Sequence, residues 1–233
     1  MNLVEPYARL MDVPDRAAGI ALLKKIEWCG RISHRSEEAQ TEESYDRFLR
    51  SVVLGHGDWS IVEHAVASVD AVVDRGITHE WVRHRIGSYT QESTRFVNYE
   101  KKMPAAFVEP DGLSDDAEMA GSGERSPFRL STSELWQHAI RTAEQIYKCL
   151  IARGVTPQIA RSVFPNALAS RIVTTYNLRN WRHFFLMRTT REAHPQMRQV
   201  TLPLLKEFQE KIPILFEDIE PEAKQADNLR KMR

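Results

Sequence analysis

Arg83, His84 and Arg85 stand side by side, and a run of hydrogen-bonding side chains from Ser88 to Thr94 follows them and ends at Arg95. Guanidinium groups present planar, forked donors that match phosphate or carboxylate oxygens, and they carry a permanent charge. Glu80 lies three residues before Arg83 and four before His84, so on a helix it shares their face and can orient either. Polar loops held on a rigid scaffold are common binding sites. Taken alone, the Arg-His-Arg triplet is also what a solvated helix end looks like, with basic residues offsetting the helix dipole. An exposed turn is the alternative reading of the loop, and the density of polar groups beside three arginines weighs against it.

Charge balance narrows the ligand. Lys+Arg and Asp+Glu both number 32, so no global field draws in nucleic acid or an anionic membrane. A local cationic cluster on a neutral background favours a small anion over a long polyanion. Other chemistries are thinly represented. His56 and His64, like His79 and His84, do not have zincin helix spacing, and no metal site is expected. There is no glycine-rich dinucleotide fingerprint. Cys29 and Cys149 have no base near them in sequence and suit small buried positions. Two cysteines, a charged N-terminus and no run of about 20 apolar residues lead us to expect a soluble, cytoplasmic protein.

The elements that must position these groups read as helices with few strands. Residues 17–28 and 43–55 have helical spacing, with Asp15 as a candidate N-cap. Residues 64–73 alternate and are rich in valine, as a strand requires. "ITHEWVRHRI" is expected to restart as a helix that stops near Gly87. A long helix is expected from Thr132 to Arg153, a short one after Pro157, a strand over 170–177, and helices over 179–187 and 194–212. Residues 110–127 are turn-rich and acidic, and read as a mobile surface insertion in a single 1–233 domain. The polar tail, 219–233, is expected to fray. With no regular βαβ alternation, α+β is the fold class.

Arg83-His84-Arg85, seven residues, then Ser93 resembles the RHR-x7-S signature of the flavin-dependent thymidylate synthases. "HGDWSIVEH" (56–64), "ARSVFP" (160–165), "NLRNWRHF" (177–184) and Met187-Arg188 follow in the order of that family. The resemblance spans about Cys29 to Arg198 and leaves out 110–127. It implies helices around a small, mostly antiparallel sheet, and the conversion of dUMP to dTMP. It further implies FAD as hydride carrier, with methylenetetrahydrofolate and NADPH as co-substrates. By similarity Ser33, Ser60, Asn177, Arg179, His183 and His194 are flavin positions, and Arg83, His84 and Arg85 line the cleft between flavin and nucleotide. Glu80, Glu92, Ser93, Arg95 and Arg161 are nucleotide positions, with Arg83 also near dUMP and Gln91 meeting both ligands. His194 is open to a second reading, as a residue of structural use at a helix N-terminus. The resemblance gives Arg188 the task of favouring ionisation of the uracil N3–H, and it implies a homotetramer with active sites between subunits.

The residues suit such a reaction. Arg95 and Arg161 complement a phosphate that carries nearly two charges. A guanidinium at position 188 would stabilise the uracil anion and push electron density towards C5. Ser93 has no Ser-His-Asp setting, so it is expected to bind substrate or a carbon-transfer intermediate. The chain departs from the family pattern, which often has Gln at position 80, Glu at 91, His at 58 and Asn at 183. Two other readings remain open. One is a non-catalytic nucleotide or nucleic-acid module in which Trp81, Tyr89, Phe96 and Tyr99 stack bases. The other is a relative that keeps the fold and has lost turnover.

Overall fold

A computed structural model of the chain describes residues 1–101, 103–113 and 130–231. The chain opens with strands β1 (Asn2–Leu3) and β2 (Tyr7–Leu10), then helices α1 (Arg16–Ile32) and α2 (Ser44–Leu49). A π-helical segment (Arg50–Gly55) and a 3-10 segment (Trp59–His64) lead into β3 (Val66–Asp74), α3 (Arg75–Trp81), β4 (Ser88–Gln91) and β5 (Ala106–Phe107). Next come α4 (Thr132–Ala152), α5 (Pro157–Ala160), β6 (Ala169–Asn177), α6 (Leu178–Arg188), α7 (Pro195–Lys211) and α8 (Gln225–Arg230). Four strands form one sheet in the order β2-β3-β6-β4, and β1 pairs with β5 in parallel. β2 runs antiparallel to β3, with Tyr7 opposite Val72 and Leu10 opposite Val69. This is the expected mixture of helices with a small, mostly antiparallel sheet.

The chain divides into two compact units. The first comprises Met1–Pro6, Val73–His79 and Gln91–Arg171. Its core gathers Tyr99, Phe107, Ile140, Tyr147 and Leu168, with Phe164 against them. α4 begins at a capping box: the Ser131 hydroxyl accepts from the Glu134 N–H at 3.1 Å, and the Glu134 carboxylate accepts from the Ser131 N–H at 2.8 Å. It ends before Gly154, whose positive φ suits a helix terminus.

The second unit comprises Tyr7–Val72, Glu80–Thr90 and Ile172–Arg233. Asp15 caps α1 by accepting from the Ala18 N–H, as the sequence predicts. Alternate residues Ala67, Val69 and Ala71 of β3 are buried. α6 is fastened to the start of β3 at two points: the Leu178 N–H donates to the Ala65 carbonyl at 2.9 Å, and the Trp181 indole N–H donates to the Ala67 carbonyl at 2.9 Å. Its buried face carries Trp181, Phe184 and Phe185, which meet Trp81, Phe208 and Phe216 edge-on or tilted. The opposite face of the same helix is left for chemistry.

Three expectations change. The helix expected to run to Gly87 stops at Trp81, and the expected loop at 88–91 is strand β4. The tail is also more ordered than its polarity suggests. Residues 225–230 are helical, Ile219 is buried, and the buried Asn228 amide donates to the Leu186 carbonyl at 3.0 Å. Of the expected insertion at 110–127, residues 114–127 lie outside the described residues. Among the described residues no helix is long and apolar enough to cross a membrane.

Candidate functional site

The early stop of α3 creates the site. The Trp81 ring is buried against Phe184, with centroids 4.8 Å apart. The carbonyls of Trp81 and His84, which a continuing helix would use, are taken by tyrosine hydroxyls. Tyr176 donates to the Trp81 carbonyl at 3.4 Å, and Tyr89 donates to the His84 carbonyl. The Tyr176 proton is shared with the Tyr89 oxygen, 2.7 Å away, since Tyr89 directs its own proton at His84. Arg83 and His84 therefore leave α3 in a tight turn, with N–H groups on the Glu80 and Trp81 carbonyls. The helix expected to continue towards Gly87 is replaced by a turn that faces the last residues of α6.

That turn and α6 enclose a cavity of about 590 Å³ lined by Arg83, His84, Arg85, Ile86, Asn180, His183, Met187 and Arg188. Arg188, the last residue of α6, is held from three directions. Its Nε–H donates to His84 Nε2 at 3.0 Å, its Nη1 to Glu80 Oε2 at 2.8 Å, and its Nη2 to the Glu80 carbonyl at 3.3 Å. Glu80 is thus the partner of Arg188 and not of Arg83 or His84, contrary to the helical reading. Since a guanidinium has no acceptor, the bonded nitrogen of His84 carries a lone pair and the imidazole is neutral. Burial first, then the charges of Arg188 and His183, depress its pKa to about 4. Partial burial and the Arg188 charge also lower His183, whose ring lies 5.6 Å from that of His84. The site holds two neutral imidazoles among fixed cations.

A second cavity of about 410 Å³ in the same unit is lined by Trp59, Glu63, Ile86, Arg179, Asn180, Arg182, His183, Leu186 and Lys231. Arg179 bonds Glu63. Arg182 grips Asp218 with both forks, at 2.6 and 2.7 Å, and lies over the Trp59 ring at 4.7 Å. Asn177 caps α6 by accepting from the Asn180 N–H at 2.8 Å, and His194 caps α7 through Nδ1 on the Gln196 N–H at 3.3 Å. Ser60 is exposed in the 3-10 segment, beside Trp59. Ser33 closes the end of α1, donating to the Gly30 carbonyl at 2.8 Å, and borders neither cavity.

The first unit holds the remaining predicted residues. The Gln91 amide donates to Thr78 Oγ1 and Ser170 Oγ, both at 3.0 Å, which leaves its carbonyl oxygen as the available group. Glu92 accepts from the Tyr99 hydroxyl at 2.7 Å; burial and that carboxylate raise the Tyr99 pKa. Ser93 opens a turn by accepting N–H bonds from Phe96 and Val97. Arg161 donates to the buried Thr94 hydroxyl at 2.6 Å. Arg95 is exposed, with its guanidinium 5.4 Å from the Phe96 ring centre. Two phosphate-matching guanidiniums thus belong to this unit, one tethered and one exposed.

Sequence reasoning missed Thr94, Asn180, Arg182 and Met187 as site residues. For Asn180 a signal existed: it follows the cap Asn177 by three and precedes His183 by three, which puts the three on one face of α6. Thr94 closes the polar run that begins at Ser88, but nothing local could show its bond to a residue 67 positions away.

Comparison with known proteins agrees with this architecture. The family model described as thymidylate synthase complementing protein matches residues 21–214. The flavin-dependent thymidylate synthase of Pyrococcus abyssi is 32% identical over 195 residues, covering 80% of this chain and 74% of that protein. The protein of the same description from Mycobacteroides abscessus is 33% identical over 204 residues, covering 84% and 78%. Among solved structures, the UMP/dUMP methylase PolB from Streptomyces cacaoi, bound with 5-Br dUMP, superposes with a TM-score of 0.71 at 23% identity. That alignment covers 93% of this chain and 96% of the other, and it shows a shared fold.

Proposed function

The chain belongs to the thymidylate synthase complementing protein family, and from that premise we propose that it methylates dUMP to dTMP with a bound flavin, FAD. Methylenetetrahydrofolate is the carbon donor and NADPH the reductant in this reading. The observation that carries it is the cavity where Arg188, Arg83, Arg85 and a neutral His84 meet. A fixed guanidinium beside uracil stabilises the anion left when N3 loses its proton, and so raises electron density at C5. A protonated imidazole there would only add charge. A neutral one can hold the guanidinium and present a flat face to a planar ligand.

The donor set suits a flavin dinucleotide. Guanidiniums answer pyrophosphate charge, while Ile86 and Met187 offer apolar contact to a ring system. When bound, the flavin supplies the hydride chemistry. In this assignment Arg83, His84, Arg85, Asn177, Arg179 and His183 serve the flavin, with Ser60 beside the second cavity. Arg95 and Arg161 hold the phosphate, with Gln91, Glu92 and Ser93 beside them in the chain. His194 has a capping task in α7 that accounts for it without a ligand. We further propose a cytoplasmic homotetramer of closed symmetry with active sites assembled between subunits.

The test is NADPH oxidation and release of the C5 hydrogen from dUMP, measured with added FAD and methylenetetrahydrofolate. Both should depend on dUMP, and the purified protein should take up flavin and turn yellow. Binding of dUMP or oligonucleotides with neither reaction would overturn the proposal.

A further inference from the structure

We propose that Glu80 is a positioning residue: its carboxylate and backbone carbonyl, together with His84, set the plane of the Arg188 guanidinium, and Glu80 itself does not touch the nucleotide. The inference rests on the reading of Arg188 as the group that acts on uracil. Arg188 uses one N–H on His84 Nε2 at 3.0 Å, one on Glu80 Oε2 at 2.8 Å and one on the Glu80 carbonyl at 3.3 Å. Of the five N–H hydrogens of a guanidinium, two remain for a ligand. Contacts on both edges of a planar group remove its rotation, so those two donors have a set direction.

The chemistry of the partners supports this division of work. A carboxylate next to an anionic substrate is unfavourable unless a cation neutralises it, and here its charge is matched by Arg188. The Glu80 and Arg188 side chains are 34% and 21% exposed, so water competes only in part for the pair. The same residue supplies a second acceptor from its backbone, in the turn where α3 ends, so the clamp is tied to the point at which the helix stops. On the far edge His84 is held by Tyr89 at its carbonyl and by the Phe184 ring, 5.0 Å away.

Two variants separate positioning from contact with substrate. Glu80→Gln keeps an oxygen that can accept from Nη1, whereas Glu80→Ala removes it. The expected result is a kcat within about 5-fold of the parent for Glu80→Gln and about 100-fold lower for Glu80→Ala, with KM for dUMP little changed in both. A rise in KM in both variants, with kcat retained, would overturn the proposal, and so would an Ala variant as active as the parent. A second readout needs no turnover. The His84 Nε2 resonance, identified by its loss in His84→Gln, reports the bond from the Arg188 Nε–H. It should keep the parent shift in Glu80→Gln and, in Glu80→Ala, move towards its position in Arg188→Ala, because a guanidinium without its carboxylate tether turns off the ring. No movement in Glu80→Ala would overturn the clamp even in a protein without activity on dUMP, and movement with no dUMP-dependent turnover in the parent would retain the clamp and reject the functional reading.

Discussion

Gly87 passes so close to Tyr176 that a Cβ placed on it would lie 2.2 Å from two atoms of the tyrosine ring. The glycine is needed for that approach, and not as a helix stop. The ring cannot readily withdraw, since its hydroxyl bonds Tyr89 at 2.7 Å and its face packs on Trp181 at 4.6 Å. Gly87→Ala is expected to destabilise the protein by about 1–3 kcal/mol. It should also disturb the turn that carries His84. The check is a urea midpoint that falls with unchanged slope, alongside weaker flavin uptake; an unchanged midpoint would refute the crowding.

Acid should weaken the fold through His84. In the folded state its pKa is about 4, and the ordinary value is 6.5. Between those values the unfolded chain binds more protons than the folded one, so stability falls as pH drops. The loss begins near pH 6.5, is complete near pH 4, and is on the order of 3 kcal/mol. His183 is shifted in the same direction and steepens the same limb. Denaturation followed from pH 7.5 to 4.5 should show this slope, and it should flatten in His84→Gln. A slope that is the same in both proteins would reject the assignment.

Thr94 is 3% exposed and bonds Arg161 at 2.6 Å. Thr94→Val keeps the shape and removes the acceptor. The guanidinium is only half-buried and can turn to water, so stability should change by less than about 1 kcal/mol. Freed of its tether, Arg161 should hold dUMP about 10-fold more weakly, a difference of about 1.4 kcal/mol. Thr94→Ser should restore binding. Titration of dUMP against flavin absorbance measures both, and equal affinities in the parent and Thr94→Val would dismiss the tether.

Much of the frame was legible along the chain. Asp15 before an amphipathic run, the alternating apolar residues Ala67, Val69, Ala71 and Val73 of β3, and the Pro157 and Gly154 boundaries are local signals that the fold obeys. The helix expected through Arg85 was not legible. Its end depends on the hydroxyls of Tyr89 and Tyr176, and the latter arrives from 95 residues away to take the Trp81 carbonyl. The tail misled for a related reason: composition registers its polar residues, but not the Asn228 amide that meets the Leu186 carbonyl.

The sequence by itself determined which groups are present and the family to which they belong, because residue types, short spacings and the order of blocks are properties of a line. It could not determine that Glu80 belongs to Arg188, that His84 is a neutral acceptor, or that Thr94 tethers Arg161. Those pairings join residues 108, 104 and 67 positions apart. Only packing brings such groups within bonding distance, and the strength and direction of a charge–dipole or hydrogen-bond interaction depend on that distance.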